Sequence, residues 1–383
     1  MKKEQLLKKV MMFSSVHTFK DARILFKEAY TLCEEYAVDF YAIGNVDEAK
    51  EYEKKGLKIH LLAKKSRLKR FLTMLEIKKA IKTSGAKYFH FHDPELLTLV
   101  PFIRKMKPDG IIIYDMHENF PEAVKSKSWL PKPIRKPLAK SIQKIEKYLM
   151  KNLDGIIFAE ESYEKYYEHI SVEKIDIYNY PTHMAKNIDE NSTKPLTMIY
   201  IGRMAKVRGV FEMLELVKMF QEEGTKIKLQ LIGLAENDLL QEMQAFIQAN
   251  RLENTVEYSS YIEYSKIQEY YSKADIGLCL LHPVPNYLES LATKIFEYMA
   301  MSLPMVVSDF PAWKKVITEN ECGLAVNPLN MVEAKNAIQR LVDDDCWRKE
   351  LGANGRKNYV QKYNWDIEGE KLLRFYRKLR NEI

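Results

Sequence analysis

The chain has 383 residues, of which 46% are hydrophobic and 30% are charged, and its formal net charge is +7. This length exceeds what one hydrophobic core usually organises, so we expect two domains, and the composition excludes a disordered or fibrous protein. The four cysteines lie far apart without a C-x-x-C pair, which argues against a zinc ribbon and a disulfide framework.

Short runs rich in β-branched and aromatic residues alternate with longer amphipathic stretches through the first half of the chain. Helices are predicted over 21–35, 68–83 and 134–150. The predicted strands are 9–14, 38–43, 57–62, 87–91, 110–114, 155–159 and 175–178. Repetition of strand, helix and strand indicates a parallel sheet covered by helices.

The alternation breaks near Asn179 and resumes at Leu196. The polar stretch 185–195 has no period and ends in proline, so we interpret it as a linker. Further strands are predicted at 196–201, 227–232, 255–258, 275–281, 305–308 and 324–326. We therefore predict an α/β fold with two doubly wound, Rossmann-like domains facing a cleft. Their predicted bounds are 1–184 and 196–364, with a basic C-terminal helix, 365–383, that crosses back to the first domain.

Positive charge is concentrated in the first half of the chain. Residues 1–195 contain 36 Lys and Arg against 27 Asp and Glu, whereas residues 196–383 contain 24 against 26. The densest segments, 64–70 and 125–151, would suit anionic lipid headgroups, nucleic acid or solvent. No run approaches the roughly 18 apolar residues of a membrane span, and Val10–Phe13 is too short for a signal-peptide core. We expect a cytoplasmic protein that can contact a membrane without crossing it.

Two glycines bracket three cations in the turn after the predicted strand 196–201. The turn begins with Gly202-Arg203 and ends with Arg208-Gly209, and a helix is predicted from about Val210. Unpaired N–H groups at a helix start, together with fixed guanidinium charges, suit a diphosphate. A basic, solvated turn is the alternative.

A second segment, 286–300, carries two glutamates separated by seven residues. Thr293 is predicted to cap a helix, which puts Lys294 and Glu297 in its first turn and Glu289 in the loop before it. A carboxylate in that loop can hold sugar hydroxyls. A glutamate in the first turn of a helix is also common for dipole reasons alone.

Together these two segments resemble the C-terminal domain of the retaining glycosyltransferases of family 4, which have the GT-B fold. Gly202-Arg203 and Arg208-Gly209 match the family's phosphate-binding pairs, with Arg208 where lysine is usual. Glu289 and Glu297 match its motif of Glu, seven residues, Glu. Further matching segments are 297–307, 322–326, 351–356 and 363–365.

Two motifs in the first half resemble a subgroup of that family. They are His90-Phe-His92-Asp93-Pro94-Glu95-Leu-Leu97 and Tyr114-Asp115-Met-His117-Glu118, and both follow predicted strands. His117 matches the histidine that in the family contacts the donor sugar beside the acceptor hydroxyl, and the loop 14–23 also resembles the subgroup. The implied acceptor-side residues are His17, Asp21, His92, Asp93, His117 and Glu118. For His17, His90 and His92, a purely structural hydrogen-bonded role is the alternative.

The resemblance implies a retaining transfer of a hexose or N-acetylhexosamine from a nucleotide sugar to a glycan or lipid-linked acceptor, in cell-surface polysaccharide biosynthesis. UDP is preferred over GDP or ADP as the nucleotide. The implied catalytic residues are His117, Glu289, Arg203 and Arg208. The implied donor-binding residues are Gly202, Arg203, Arg208, Tyr261, Ile262, Glu289, Thr293, Lys294 and Glu297. We expect no metal and no other cofactor, and we interpret the acidic triplet 343–345 as a solvated turn.

The basic segment from Trp129 to Lys136 and the lysine-rich helix after it resemble the membrane-facing surface of transferases that act on lipid-linked acceptors. Contact with the cytoplasmic face of an anionic membrane is therefore expected, and a solvated cationic face is the alternative. Two other functions stay open, a nucleotide-sugar 2-epimerase of GT-B fold and a non-enzymatic two-lobed small-molecule binding protein. No G-x-G-x-x-G follows the first strand, which disfavours a nicotinamide dehydrogenase, and no nucleic-acid-binding module is recognised.

Overall fold

The computed structural model describes residues 8–45, 48–66, 69–126, 130–182, 184, 195–262, 266–288 and 290–380. The chain forms two compact units. Unit 1 comprises Met1–Asn179 and Asp366–Ile383, and unit 2 comprises Tyr180–Trp365. The first boundary falls before Tyr180, whose ring packs edge-on against Phe296 of unit 2 with 4.6 Å between centroids. The interpreted linker, 185–195, lies outside the described residues except for Pro195.

Unit 1 is built on a seven-stranded parallel sheet. Its strands are β1 (Lys9–Thr18), β2 (Ala37–Ile43), β3 (Leu57–Leu62), β4 (Tyr88–Phe91), β5 (Ile111–Met116), β6 (Gly155–Phe158) and β7 (Glu173–Asp176). They lie in the order β3-β2-β1-β4-β5-β6-β7. Every residue of β4, β5 and β6 is buried, as expected for the centre of a parallel sheet covered on both faces.

The connections of unit 1 are helical. They are α1 (Tyr30–Leu32), α2 (Arg70–Thr83), α3 (Val100–Met106), α4 (Phe120–Ser126) and α5 (Lys132–Met150), with 3-10 turns at Lys50–Tyr52, Pro94–Leu99 and Glu161–Tyr166. The helix predicted over 21–35 is instead a π-helical segment, Ile24–Ala29, followed by the short α1. The first strand also differs from the prediction, because β1 continues through Thr18 after its register with β2 shifts beyond Phe13.

Unit 2 is built on a six-stranded parallel sheet. Its strands are β8 (Leu196–Ile201), β9 (Ile227–Ile232), β10 (Val256–Ser259), β11 (Ile276–Cys279), β12 (Met305–Ser308) and β13 (Gly323–Val326). They lie in the order β10-β9-β8-β11-β12-β13. Its helices are α6 (Val210–Glu222), α7 (Asn237–Ala249), α8 (Ile267–Ser272), α9 (Pro285–Leu288), α10 (Thr293–Ala300), α11 (Pro311–Asn320), α12 (Met331–Asp343) and α13 (Asp345–Gln361).

The last helix, α14 (Trp365–Lys378), returns the chain to unit 1. Its Tyr376 hydroxyl lies 2.7 Å from Nδ1 of His90, and its Arg377 guanidinium pairs with Glu35. Glu368 accepts a hydrogen bond of 2.8 Å from the backbone N–H of Tyr178. The α/β prediction of two Rossmann-like domains, with a closing helix on the first, is thereby confirmed.

Each sheet contains one position where the strand order reverses. In unit 1 it lies between β1 and β4, and in unit 2 between β8 and β11. Ligands of open α/β sheets bind beyond the carboxyl ends of the strands at such positions. The loops that follow these four strands carry the motifs that the sequence singled out. Within the described ranges, no helix is both long and apolar enough to cross a bilayer.

Candidate functional site

Asp93 joins the loops that follow β1 and β4. Its carboxylate Oδ2 accepts hydrogen bonds from the hydroxyl of Ser14 at 2.7 Å and from the backbone N–H of Ser15 at 2.6 Å. The hydroxyl of Ser14 in turn accepts from the backbone N–H of His17 at 2.8 Å. Asp93 is buried, and it fixes the loop that presents His17.

His17 lies between two carboxylates. Its Nδ1 is 3.0 Å from Oδ2 of Asp21, and its Nε2 is 3.6 Å from Oδ1 of Asp93. Burial lowers the pKa of His17, but the hydrogen bond to Asp21 and the charges of both aspartates outweigh it, so the net pKa is raised. The same contact lowers the pKa of Asp21 despite burial. The arrangement favours a protonated His17.

The ring of His17 lies edge-on to that of His117, with 5.1 Å between centroids, and the ring of His92 is 5.2 Å from that of His117. The structure therefore brings five of the six predicted acceptor-side residues together: His17, Asp21, His92, Asp93 and His117. Glu118 is exposed and takes no part in these hydrogen bonds.

Asp115, at the end of β5, is the centre of this cluster. Its Oδ2 accepts from Nε2 of His117 at 2.8 Å and from Nδ1 of His92 at 3.2 Å. Arg23 donates to both of its oxygens, at 3.0 and 2.9 Å. Burial raises the pKa of Asp115, but the charges of Arg23 and His117 outweigh it and hold the pKa well below its usual range. An ionised Asp115 can only accept, so Nε2 of His117 carries a proton and a neutral His117 presents Nδ1 as its acceptor.

Glu28, His90 and His92 lie behind Asp115 in the interior. Burial and the negative charge of Asp115 raise the pKa of Glu28 well above its usual value. Burial lowers the pKa of His92 to about 4 and that of His90 further below its usual value. Glu28 is thus held as the neutral acid and both histidines as neutral imidazoles.

These groups also have the composition of a metal site. One ligand atom from each of Glu28, His90, His92 and Asp115 lies within 4.8 Å of the others. The guanidinium of Arg23 already serves as their cation, because it donates to Asp115 and its Nε lies 2.7 Å from Oε1 of Glu28. A metal ion would have to displace a buried arginine, so we assign the cluster to the hydrogen-bonded arrangement described above.

Sequence reasoning missed Arg23 and Glu28. The signal that could have found them is a pair of opposite charges five residues apart, with the apolar run Ile24-Leu-Phe26 between them. A π-helical turn places residues five apart on the same face of the helix. Here the backbone N–H of Glu28 donates to the carbonyl of Arg23 at 2.9 Å. Turns of this kind are frequent at functional sites.

In unit 2, the glycine-bracketed turn after β8 closely approaches the loop after β11. Gly209 has φ +75°, and a Cβ there would lie 1.9 Å from the carbonyl oxygen of Leu280. At Gly202, a Cβ would lie 2.7 Å from Cε of Lys294. Gly209 therefore requires glycine for close packing against backbone, whereas a side chain at Gly202 would have to displace the flexible end of Lys294.

Three of the predicted donor-binding residues, Gly202, Arg208 and Lys294, lie around the side chain of Tyr200. The ammonium of Lys294 is 5.6 Å from the Tyr200 ring centroid, and the Tyr200 hydroxyl faces Gly202. Burial would lower the pKa of Arg208, but its contacts with Tyr200 and Tyr287 raise it, and its Nε donates to the Tyr287 hydroxyl at 3.3 Å. Gly202, Arg208 and Lys294 thus form one cationic cluster.

The other predicted donor-side residues have different neighbours. Arg203 is exposed, and its guanidinium is 2.6 Å from Oε1 of Glu236. Glu297 accepts a hydrogen bond of 2.6 Å from the buried hydroxyl of Tyr271. Tyr261 is exposed and Ile262 is partly buried. Glu289 lies outside the described residues.

The prediction that Thr293 caps a helix is wrong. Ala292 occupies the cap position without a side-chain hydrogen bond, and Thr293 is the first residue of α10. The loop before this helix is held instead by Trp313, whose indole N–H donates to the carbonyl of Ser290 at 2.6 Å. Sequence reasoning also missed His282, which lies 2.8 Å from Glu212 at the start of α6 and ties the loop after β11 to the glycine turn.

Comparison with known proteins points to one class of enzyme. The family model described as Glycosyl transferases group 1 matches residues 184–358. Alpha-D-kanosaminyltransferase of Streptomyces kanamyceticus is 24% identical over 182 residues, which are 48% of this chain and 45% of the relative. The capsular polysaccharide biosynthesis glycosyltransferase CapM of Staphylococcus aureus is 22% identical over 46% of this chain and 44% of its own length. The chain thus matches about half the length of these relatives.

Solved structures resemble the chain over nearly its whole length. A sucrose-phosphate synthase from Thermosynechococcus elongatus has a TM-score of 0.76 at 17% identity and covers 98% of this chain and 100% of its own. Anabaena Alr3699/HepE, solved in complex with UDP, has a TM-score of 0.74 at 12% identity, with 97% and 100% coverage. At these identities the similarity establishes the fold, which is that of the GT-B glycosyltransferases.

Proposed function

We propose that this chain is a glycosyltransferase that moves a hexose or N-acetylhexosamine from a UDP-sugar to a glycan or lipid-linked acceptor with retention of configuration. The single observation that carries the proposal is the cationic cluster of Gly202, Arg208 and Lys294, which lies where the strand order of unit 2 reverses. Alpha-D-kanosaminyltransferase is named for sugar transfer, and Anabaena Alr3699/HepE was solved with UDP and with UDP-glucose, which supports the choice of donor.

The proposed chemistry depends mainly on fixed positive charge. As the bond between the anomeric carbon and the diphosphate oxygen breaks, negative charge develops on the phosphate. Arg208 and Lys294, together with the start of α10, would stabilise it, so that no metal is needed for this purpose. Arg203 would join them by exchanging its exposed contact with Glu236 for the phosphate.

The two glutamates would hold hydroxyl groups rather than form a covalent bond. Glu297, positioned by Tyr271, would bind the ribose, and Glu289 would bind the donor sugar. Thr293 and the segment around Tyr261 and Ile262 would complete the donor site, with backbone contacts to the base.

On the acceptor side, His117 would contact the reacting hydroxyl through Nδ1 while Asp115 fixes its other nitrogen. The acceptor oxygen bonds to the anomeric carbon on the face that the diphosphate leaves. The hydroxyl proton passes to the departing phosphate oxygen, so that no residue changes its own protonation over the cycle. His17, Asp21, His92, Asp93 and Glu118 would surround the acceptor or support His117.

A role in cell-surface polysaccharide biosynthesis, at the cytoplasmic face of a membrane, is the physiological part of the proposal. CapM is named for capsular polysaccharide biosynthesis, which supports it. Helix α5 supports the membrane contact, because two exposed stripes run side by side along it. One stripe is cationic (Lys132, Lys136, Lys140, Lys144), and the other is apolar (Ile134, Leu138, Ile145, Tyr148).

The donor assignment is tested by thermal shift with a panel of nucleotide sugars, because a ligand that binds only the native state raises the melting temperature. We expect UDP-sugars to do so and Arg208→Met to weaken their binding by roughly ten- to a hundredfold, since a charge-assisted hydrogen bond contributes about 1.5–3 kcal/mol. Lys206→Met is the matched control, because Lys206 lies in the same turn but its exposed ammonium pairs with Glu242.

Absence of a shift with every nucleotide sugar would remove the donor assignment. Incubation with a UDP-sugar alone, followed by NMR, separates a transferase from the epimerase alternative. An epimerase produces the 2-epimer without an acceptor, and the proposed transferase does not.

A further inference from the structure

An apolar cavity, half open to solvent, lies between α5 and the 3-10 turn Pro94–Leu99 in unit 1. Its volume is about 160 Å³, close to that of an engineered apolar cavity that binds benzene. Its apolar walls come from Leu97, Phe120, Ile142, Ile145 and Leu149. Because the wall residue Ile145 is exposed, the cavity opens to solvent beside α5.

Two carboxyl side chains, Glu95 and Glu146, line the cavity, and only that of Glu146 is buried. This side chain is 3% exposed, its Oε2 accepts from the hydroxyl of Tyr167 at 2.7 Å, and its Oε1 has no hydrogen-bond partner. Below about pH 7 the raised pKa of Glu146 keeps this buried carboxyl neutral. It leaves the walls suited to hydrocarbon rather than to sugar.

Residues that line the cavity are close in sequence to residues of the candidate acceptor site. Pro94 and Glu95, at one wall, directly follow Asp93, and Phe120, at another, closely follows His117. The hydroxyl of Ser15, whose N–H binds Asp93, also donates to Glu95 at 3.0 Å. A molecule with a chain in the cavity could therefore place its polar end beside His17 and His117.

The protein surface next to the cavity carries exposed cationic side chains. Lys140 and Lys144 are exposed on α5 next to the lining residues Ile142 and Ile145, and Glu95 at the wall is offset by Arg70 at 3.3 Å. An occupant with a hydrocarbon chain and an anionic head satisfies both the apolar walls and the flanking ammonium groups.

We propose that this cavity binds the first carbons of the hydrocarbon chain of an anionic, lipid-linked acceptor. The inference rests on the proposed transferase function and narrows its acceptor from any glycan to a lipid. The α5 residues that line the cavity would bind the acceptor. This role is separate from contact between the exposed face of α5 and a bilayer.

The probes are butyl, hexyl, octyl and decyl phosphate, kept below their critical micelle concentrations and titrated calorimetrically into the full chain. Each methylene that enters the cavity should raise the affinity about fourfold. The gain should stop after roughly six carbons, because the cavity holds a group of about the size of benzene. Adsorption to an open apolar surface would instead continue to strengthen with chain length.

Ile145→Asp and Ile134→Asp form a matched pair of variants. Both positions are exposed on α5, at 57% and 47%, and both changes add one negative charge, but only Ile145 lines the cavity. Ile145→Asp should abolish the dependence on chain length and weaken octyl phosphate binding at least tenfold, whereas Ile134→Asp should preserve both. Equal effects of the two changes, or affinities that do not depend on chain length, would overturn the proposal.

A UDP-sugar thermal shift on the same samples separates this inference from the proposed function. A shift without binding of alkyl phosphates would reject the lipid cavity and leave the transferase standing. Chain-length-dependent binding without a shift would reject the donor assignment and leave a lipid-binding cavity.

Discussion

Arg23 contacts two buried carboxyl groups, those of Asp115 and Glu28. Because only one of them is ionised, mutations of Arg23 and of Glu28 should affect stability differently. Asp115 is held ionised by Arg23, whereas Glu28 is held neutral by burial and by the charge of Asp115. Arg23→Met leaves a buried charge without its cation and should lower the free energy of unfolding by about 3–5 kcal/mol.

Glu28→Gln replaces one neutral group with another of the same shape and should cost less than about 1 kcal/mol. Urea unfolding at neutral pH measures both variants. Equal losses in the two variants would mean that Glu28 is ionised in the folded protein.

Glu146 should make stability depend on pH. Burial raises its pKa to about 7, so the folded protein binds this proton more tightly than the unfolded chain does. The stabilisation is complete below the unfolded pKa, near 4.3, and is lost as pH rises through about 7. Glu146→Gln stays neutral throughout. It should match the wild type near pH 4 and become more stable than the wild type by up to roughly 3 kcal/mol at pH 8.

Urea unfolding of the wild type and of Glu146→Gln at several pH values isolates the titration of Glu146, since the two proteins share every other titratable group. A stability difference that stays constant with pH would show that Glu146 titrates normally. A reversed sign would show that the folded protein favours the carboxylate.

Among the connecting elements, the glycine turn after β8 should tolerate substitution poorly. Gly209 and Gly224 have nearly the same backbone conformation, with φ of +75° and +77°, but a Cβ at Gly224 meets nothing within 4 Å. Gly224→Ala should therefore cost only the left-handed strain of about 1–2 kcal/mol. Gly209→Ala adds the overlap with Leu280, which should cost about 1–3 kcal/mol more.

Gly209→Ala should also abolish the UDP-sugar thermal shift, because the turn must move away from the loop after β11. Gly224→Ala should keep the shift unchanged. Similar losses of stability and of ligand response in both variants would show that the close approach at Leu280 does not matter.

The sequence predicts regular elements well where hydrophobic period and composition agree. Strands such as β8 and β9 match their predicted bounds, because apolar residues buried in succession in β8 and alternately in β9 both fit a strand. The continuation of β1 to Thr18 and the π-helical turn at Ile24–Ala29 were not predictable in this way. Both depend on distant partners, β2 for the strand and Asp115 for Arg23.

For the candidate site, the spacing of the motifs identified functional residues but not the side chains that hold them in place. The sequence places His117 after a strand, yet it does not reveal that Asp115 and Arg23 orient it from behind. Likewise, the cationic turn was visible in the sequence, but Tyr200 and Tyr287, which hold Arg208, carry no signature of their own. Residues buried behind a site are recognisable only once the elements are assembled.

Across the whole molecule, charge is distributed unevenly, and this makes a final prediction possible. The excess of cations lies in residues 1–195, whereas residues 196–383 have a slight excess of acids. Because each lysine near an anionic surface contributes about 1 kcal/mol, the four-lysine stripe of α5 should strengthen vesicle binding by roughly three orders of magnitude. Replacing Lys132, Lys136, Lys140 and Lys144 with Gln should therefore abolish cosedimentation with phosphatidylserine-containing vesicles at low salt.

The matched control is the replacement of four exposed lysines of unit 2, Lys226, Lys314, Lys315 and Lys349, which changes the net charge equally. If net charge alone drives association, both quadruple variants lose binding to the same extent. If the stripe of α5 is the contact surface, the control variant retains vesicle binding and loses it only as rising salt screens the remaining lysines, over the Debye length of about 10 Å at 0.1 M. Wild-type protein that fails to sediment with these vesicles even at low salt would leave the stripe as a solvated cationic face.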